Sequence, residues 1–255
     1  LGLIFITKAT AYLMAGVVVV GVLIDSFIRA NNHKLSVLNI RRLAFSLMVL
    51  VLPALMLGGI WWLRNFSVYG FPDFLGLRAH DAVVVGQLRT ADYIAQLGST
   101  GAYLGEAARI TFYSFWGMFG WQALPLVGAT VGWVYPAVGV LVVVAVLGWG
   151  ITLARRENDP ANRGAWLVLG LTVVLAVAQY VYYNTAFVQF QGRYLFVALI
   201  PFSLWLNLGL DAWRRMLLGR WAWSRWVLPL AWLLLAIFDV WLLWRVIVPN
   251  LTPLA

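Results

Sequence analysis

Leu43-Ala44-Phe45-Ser46-Leu47-Met48-Val49-Leu50-Val51-Leu52-Pro53-Ala54-Leu55-Met56-Leu57-Gly58-Gly59-Ile60-Trp61-Trp62-Leu63-Arg64-Asn65 is the stretch that decides the fold. From Leu43 to Leu63 only Ser46 is polar, and the run then breaks abruptly to a guanidinium and an amide. About 20 such residues, wound as a helix, cross the hydrocarbon core of a bilayer. Residues 9–28, 134–154, 165–183, 194–212 and 226–247 meet the same criterion, and residues 1–6 read as the end of one more helix, with Thr7-Lys8 at a hairpin tip. The expected fold is all-α: a polytopic transmembrane helical protein with about six complete spanning helices and a partial N-terminal one. It divides into 1–63 (hairpin end and two spanning helices), 64–133 (a long extracytoplasmic loop with an aromatic interfacial helix) and 134–255 (four spanning helices and a short extracytoplasmic tail).

Composition agrees. The 255-residue chain is 63% hydrophobic and 11% charged, against roughly 25% charged in a soluble globular domain, which excludes that class. The formal charge of +9 comes from basic residues in short connections between apolar runs, so it reads as a topology signal and not as a nucleic-acid surface. The chain has no cysteine, which removes disulfides, thiolate metal sites and cysteine nucleophiles. Both histidines, His33 and His80, fall outside the apolar segments, so no intramembrane imidazole is present to hold a haem or a chlorophyll. The chain starts inside an apolar run without an initiator methionine, and the expectation is of further chain upstream, or of other membrane subunits.

Orientation follows from the basic residues. Arg29, Lys34, Arg41 and Arg42, then Arg155, Arg156 and Arg163, then Arg214, Arg215, Arg220 and Arg225 fill three alternate connections and make up eleven of the 18 lysines and arginines. The positive-inside tendency makes those connections cytoplasmic and puts the long loop, the 184–193 connection and the C-terminal tail outside.

Several groups carry two readings each. Gln189, Gln191 and Arg193 lead into the apolar run that starts at Tyr194. A guanidinium at the outer boundary offers a planar fork for phosphate or carboxylate, reinforced by the helix N-terminus, or it anchors in lipid headgroups. Arg64 and Asn65 after Trp61-Trp62 read as ligand contacts or as an aromatic belt with its basic anchor. Asp73, His80 and Asp81 have the ligand types for an acid/base pair or a metal site, or are solvated and salt-bridged to neighbours such as Arg78; no metal is assigned. Lys8 and Asp239, the charges nearest to being within apolar segments, suit a structural ion pair or a functional role. Phe112, Phe115, Trp116 and Phe119 recur at helical spacing and stand either as interfacial anchors or as a platform for a sugar ring. Walker, dinucleotide, HExxH and GxSxG signatures are absent.

Gly2-Leu3-Ile4-Phe5-Ile6-Thr7-Lys8, then Trp61-Trp62-Leu63-Arg64-Asn65 with Tyr69-Gly70 and Pro72, then Ser114-Phe115-Trp116-Gly117-Met118-Phe119-Gly120-Trp121, then Gln191-Gly192-Arg193-Tyr194-Leu195-Phe196 occur in this order. Together they resemble the C-terminal two thirds of bacterial membrane glycosyltransferases of the C-type superfamily, nearest the protein-mannosyltransferase-like and aminoarabinose-transferase-like branches. The resemblance implies a multi-pass protein of the bacterial cytoplasmic (inner) membrane, inverting transfer, and a polyprenyl-phosphate-linked sugar as donor to an extracytoplasmic acceptor. It implies Arg64, Asn65, Gln191 and Arg193, with Tyr194 and Lys8, as the donor-binding set, and a catalytic carboxylate upstream of the segment matching Leu1, so that no catalytic residue is assigned here. The partners expected are the bilayer, the lipid-linked sugar and the upstream chain or other subunits, and no nucleic acid. Two other readings remain from different classes: a non-catalytic structural subunit of a larger membrane complex, and a transporter or flippase, for which inverted repeats and broken helices are the mark.

Overall fold

The computed structural model describes residues 1–7, 11–32, 37–83, 86–120, 122–154 and 163–251. The described chain is almost wholly helical. In order come α1 (Gly2–Thr7), α2 (Tyr12–Asn32), α3 (Val37–Tyr69), α4 (Leu77–Val83), α5 (Thr90–Leu97), α6 (Thr100–Trp116), the strands β1 (Met118–Phe119) and β2 (Leu124–Pro125), α7 (Val134–Ala154) and α8 (Arg163–Ala186). A 3-10 turn (Gly192–Ala198) opens α9 (Leu199–Leu218), and a second (Ala222–Trp226) opens α10 (Val227–Leu242), which passes through one π turn (Leu243–Ile247) into α11 (Val248–Leu251). Five helices among the described residues are long and apolar enough to cross a membrane: Ile40–Tyr69, Val134–Leu153, Gly164–Ala186, Gly192–Leu218 and Ala222–Leu251. Tyr12–Phe27 is a shorter apolar stretch.

Two compact units form, and neither is continuous in sequence. One comprises residues 1–93 and 159–188, the other 94–158 and 189–255, so the division falls inside α5.

In the first unit α1 lies on α3, and the contact is made by small residues. A Cβ on Gly2 would meet Leu57 Cδ1 at 2.6 Å and Ala54 Cα at 3.3 Å, and one on Gly58 would meet Phe5 at 3.0 Å. Ala54 and Gly58, one turn apart, therefore open a groove of the kind that lets apolar helices approach in lipid. Trp62 closes this junction. Its ring packs on Phe5 at 5.2 Å, and its Nε1 donates to Tyr12 Oη, which itself donates to Phe5 O. Gly70, at φ 82, ends α3 in the left-handed conformation that a helix terminus favours.

In the second unit α7 and α9 cross at glycines. A side chain on Gly209 would overlap the Ala145 backbone, one on Gly148 the Gly209 carbonyl, and Trp213 Nε1 donates to Val144 O at 2.8 Å across the crossing. A separate apolar cluster of Leu126, Val131, Val134, Tyr135 and Leu242, flanked by Phe112, Phe119 and Phe238, holds the β1–β2 hairpin against α6, α7 and α10.

Two expectations change in detail. The stretch 64–133 contains three helices after α3 ends, α4, α5 and α6. The aromatic helix within it begins at Thr100, where Ser99 Oγ accepts the Ala102 N–H as an N-cap, and it ends at Trp116. Phe119 leaves the helical face for β1, because Gly117 stops the helix and its neighbours pair Met118 with Pro125 and Phe119 with Leu124.

Gly209→Ala should force α7 and α9 apart and lower stability by roughly 1–3 kcal/mol, the ordinary cost of overpacking. Gly150→Ala, on the same α7 but with nothing within 4 Å of the added Cβ, should leave the melting temperature in detergent unchanged or slightly raised.

Candidate functional site

Within the second unit, two segments about 76 residues apart in sequence are joined at one serine. Ser114, near the end of α6, accepts the Gly192 N–H at 2.7 Å, and its own hydroxyl reaches Ile110 O at 2.6 Å and Phe190 O at 3.1 Å. A single hydroxyl proton serves one of those carbonyls at a time, and Ile110 is the nearer. Gly192 is required by closeness: a Cβ there would overlap the backbone N and Cα of Phe115. Around this junction Phe115 meets Phe196 and Phe202 edge-on at 5.4 and 5.9 Å, and Phe190 meets Tyr103 at 5.2 Å.

The hairpin is fixed just as firmly. Tyr135 Oη donates to Gly117 O and accepts from Leu126 N, both at 2.9 Å, while its ring stacks on Tyr113 at 3.8 Å. The turn places Gly120 at φ 57 and Gln122 at φ 70. A glutamine in the left-handed region carries backbone strain, and such strain persists where the surroundings over-determine it. Here the Gln122 side chain reaches toward Phe190 O at 3.5 Å, the outer limit of a hydrogen bond.

These pieces line an open cleft of about 390 Å³, bordered by Ser114 to Gly120, Gln122, Gln191, Arg193 and Phe196. Its size lies within the range of small-molecule sites, and its walls are aromatic with a few polar groups, as such sites are. Gln191 Oε1 is buried and meets no hydrogen-bond donor among the described residues. An acceptor left so is costly unless a ligand or water completes it. Arg193 is exposed, with Cζ 5.8 Å from the Tyr194 ring centroid, and Tyr194 Oη donates to Gln189 Oε1 at 3.3 Å. Gln191 and Arg193 are thus brought to one cavity, with Tyr194 beside them.

The first unit treats its candidates differently. Asn65 is 3% exposed: its Nδ2 donates to Phe74 O at 2.8 Å and its Oδ1 accepts from Arg64 at 3.2 Å, so its amide ties the chain after α3 back onto the helix. Arg64 also lies 5.1 Å over Trp61. Asp73 accepts the Ala79 N–H at 2.9 Å at the start of α4. That bond is the main reason its carboxyl lies below the usual value of 3.8; desolvation opposes it, and the Arg78 and Leu77 N–H groups and the Arg78 charge add to the lowering. Asp81 pairs with Arg89 at 2.8 Å, Arg89 lies 4.2 Å over Phe187, and His80 meets the same ring edge-on at 6.3 Å. Asp73, His80 and Asp81 thus each take part in a local contact, and no group of three metal-ligating side chains converges among the described residues. Lys8 and His33 lie outside the described residues; Asp239 is exposed on α10.

Ser114, Gly192 and Gln122 are the site residues that the sequence did not single out individually. Ser114 and Gly192 stand inside motifs that carry the resemblance, but a serine in an aromatic helix gives no local sign of a partner 78 positions on. Gln122 has no sequence signal, because its conformation is imposed by the hairpin.

No protein-family model matches the chain, and no curated protein or solved structure matches it either.

Ser114→Ala should leave the Gly192 N–H without an acceptor and cost about 1–3 kcal/mol, read as faster exchange at that amide and a lower melting temperature. Acid should loosen α4. Because the Asp73 carboxyl is depressed in the folded chain, its contribution is complete above 3.8 and is lost as pH falls from there through the lower folded value. Amide exchange at Ala79 should accelerate over that window, and Asp73→Asn should remove most of the pH dependence.

Proposed function

We propose that this chain forms the donor-holding part of an integral membrane glycosyltransferase, which moves a sugar from a polyprenyl-phosphate carrier to an extracytoplasmic acceptor. The observation that carries the proposal is the cleft of the second unit, in which a buried unpaired amide oxygen, an arginine and an aromatic wall line one cavity at the start of a helix long and apolar enough to cross a membrane. A lipid-linked sugar phosphate needs such a place: its charge rides at the headgroup boundary while its tail remains in hydrocarbon. In this reading Arg193 holds the phosphate and stabilises it as it departs, Gln191 accepts a sugar hydroxyl at Oε1, and Phe115, Trp116 and Phe119 give the ring a surface. Arg64 and Asn65 organise the chain after α3.

The proposed topology has six spans, adding α2 to the five helices above, in the cytoplasmic membrane of a bacterium. The three basic connections face the cytoplasm, and α4, α5, α6 and the hairpin lie outside. In this reading no residue of this chain is assigned as the catalytic carboxylate.

Binding of undecaprenyl phosphate and of undecaprenol to the full chain in nanodiscs tests the reading. Undecaprenyl phosphate should bind more tightly, and Arg193→Gln should weaken it by about 10- to 100-fold, the worth of a hydrogen bond to a charged group, without altering the alcohol. Equal affinity for phosphate and alcohol, or an unchanged Arg193→Gln variant, overturns it.

A further inference from the structure

The connection between α9 and α10 lies in the second unit, away from the cleft residues in sequence, and carries an unusual charge. It holds Arg214, Arg215, Arg220 and Arg225, of which Arg214 and Arg215 meet a carboxylate, that of Asp211. Asp211 takes Arg214 Nε at 2.6 Å through one oxygen and Arg215 Nε at 3.1 Å through the other. Arg214 also donates to Ser224 Oγ at 3.2 Å, and Ser224 is 2% exposed, so this arginine is a strut of the turn. Arg220 and Arg225 have no carboxylate among the described residues. Each instead lies against an indole: Arg220 Cζ is 4.1 Å from the Trp221 ring centroid, and Arg225 Cζ is 5.7 Å from that of Trp226. Trp221 in turn stacks on Trp223 at 5.8 Å and 19°. Trp221, Trp223 and Trp226 are all exposed.

The turn that carries these groups is well fixed. Trp221 N–H donates to Leu218 O and Ser224 N–H to Trp221 O, both at 3.0 Å, and the 3-10 turn runs directly into α10. Both flanking helices are long and apolar enough to span, so the connection lies at a membrane surface whichever face that is. A guanidinium held beside an indole with no carboxylate partner keeps N–H donors that can meet the oxygens of a phosphate. The exposed indoles beside them favour the boundary between headgroup and acyl chain over a water-soluble anion.

We propose that Arg220 and Arg225, on their tryptophan supports, form a binding site for the phosphate headgroup of an anionic phospholipid. The site is independent of the cleft and of the reading given to it.

Native mass spectrometry of the purified, delipidated full chain tests this, with dioleoyl phosphatidylglycerol and dioleoyl phosphatidylcholine added in equal amounts. The unsubstituted chain should retain phosphatidylglycerol in preference, and Arg220→Gln/Arg225→Gln should reduce that preference by roughly tenfold. Trp221→Leu/Trp223→Leu, which keeps every charge, should weaken it as well. Arg41→Gln/Arg42→Gln, an equal loss of charge at the start of α3, should leave it largely intact. All these positions are exposed, so melting temperatures should stay close to that of the unsubstituted chain. Retention unchanged in Arg220→Gln/Arg225→Gln, or reduced equally by Arg41→Gln/Arg42→Gln, overturns a defined site and leaves only diffuse attraction.

Discussion

A backbone N–H or C=O carried into hydrocarbon finds no water to bond, and every one left unpaired costs several kcal/mol. This constraint is why the apolar runs are helices, and it also limits how those helices meet. Lipid tails are as apolar as leucine, so burying leucine against leucine gives little advantage in a bilayer. Cohesion in both units accordingly comes from close approach and directed polar contacts. Gly2 and Gly58 admit α1 to α3, Gly148 and Gly209 admit α7 to α9, and Trp62, Tyr12 and Trp213 supply hydrogen bonds across the contacts. The outward faces keep residues such as Leu233, Leu234 and Ile237 exposed, as lipid requires.

Departures from regular helix occur where polar groups gather. The hairpin between α6 and α7 is stabilised by Tyr135, whose hydroxyl satisfies one acceptor at the end of α6 and one donor just past the end of β2. The junction of Ser114 with Gly192 does the same for the 3-10 turn ahead of α9. A cleft results because the two satisfied pieces stand side by side while Gln191 Oε1 stays unmet. The aromatic rings of Phe115 and Phe196 are held by one another, which keeps the wall of that cleft in place without filling it.

Much of the helix layout was legible in the sequence, because a run such as Leu43 to Leu63 has one stable form in hydrocarbon. The ends were less so: α3 runs from Val37 to Tyr69, and the helix after Arg163 extends to Ala186, since polar residues beyond the apolar run continue a helix already nucleated. The aromatic spacing from Phe112 to Phe119 suggested one helical face, yet Gly117 turns Phe119 into a strand, and periodicity carries no information about that switch. Gln191 and Arg193 were legible as polar groups at a boundary, whereas Ser114 was not, because its role depends on a backbone amide contributed from far along the chain. Asp73, His80 and Asp81 look alike as sequence; only the N–H groups of α4 and the Arg89 guanidinium distinguish an N-terminal cap from an ion pair.

The discontinuity of the two units bears on how the protein is made. Synthesis delivers α1, α2 and α3 first, then the part of the second unit from Ile94 onward that includes α6 and α7, and only afterwards α8, which packs on α2 in the first unit. Until then the face of α2 that receives α8 has lipid for a neighbour. The second unit waits in its turn, since α7 finds its glycine-matched partner only when α9 has left the ribosome. Each unit thus waits for a late helix of its own, α8 for the first and α9 for the second, and neither completes until the last third of the chain is inserted.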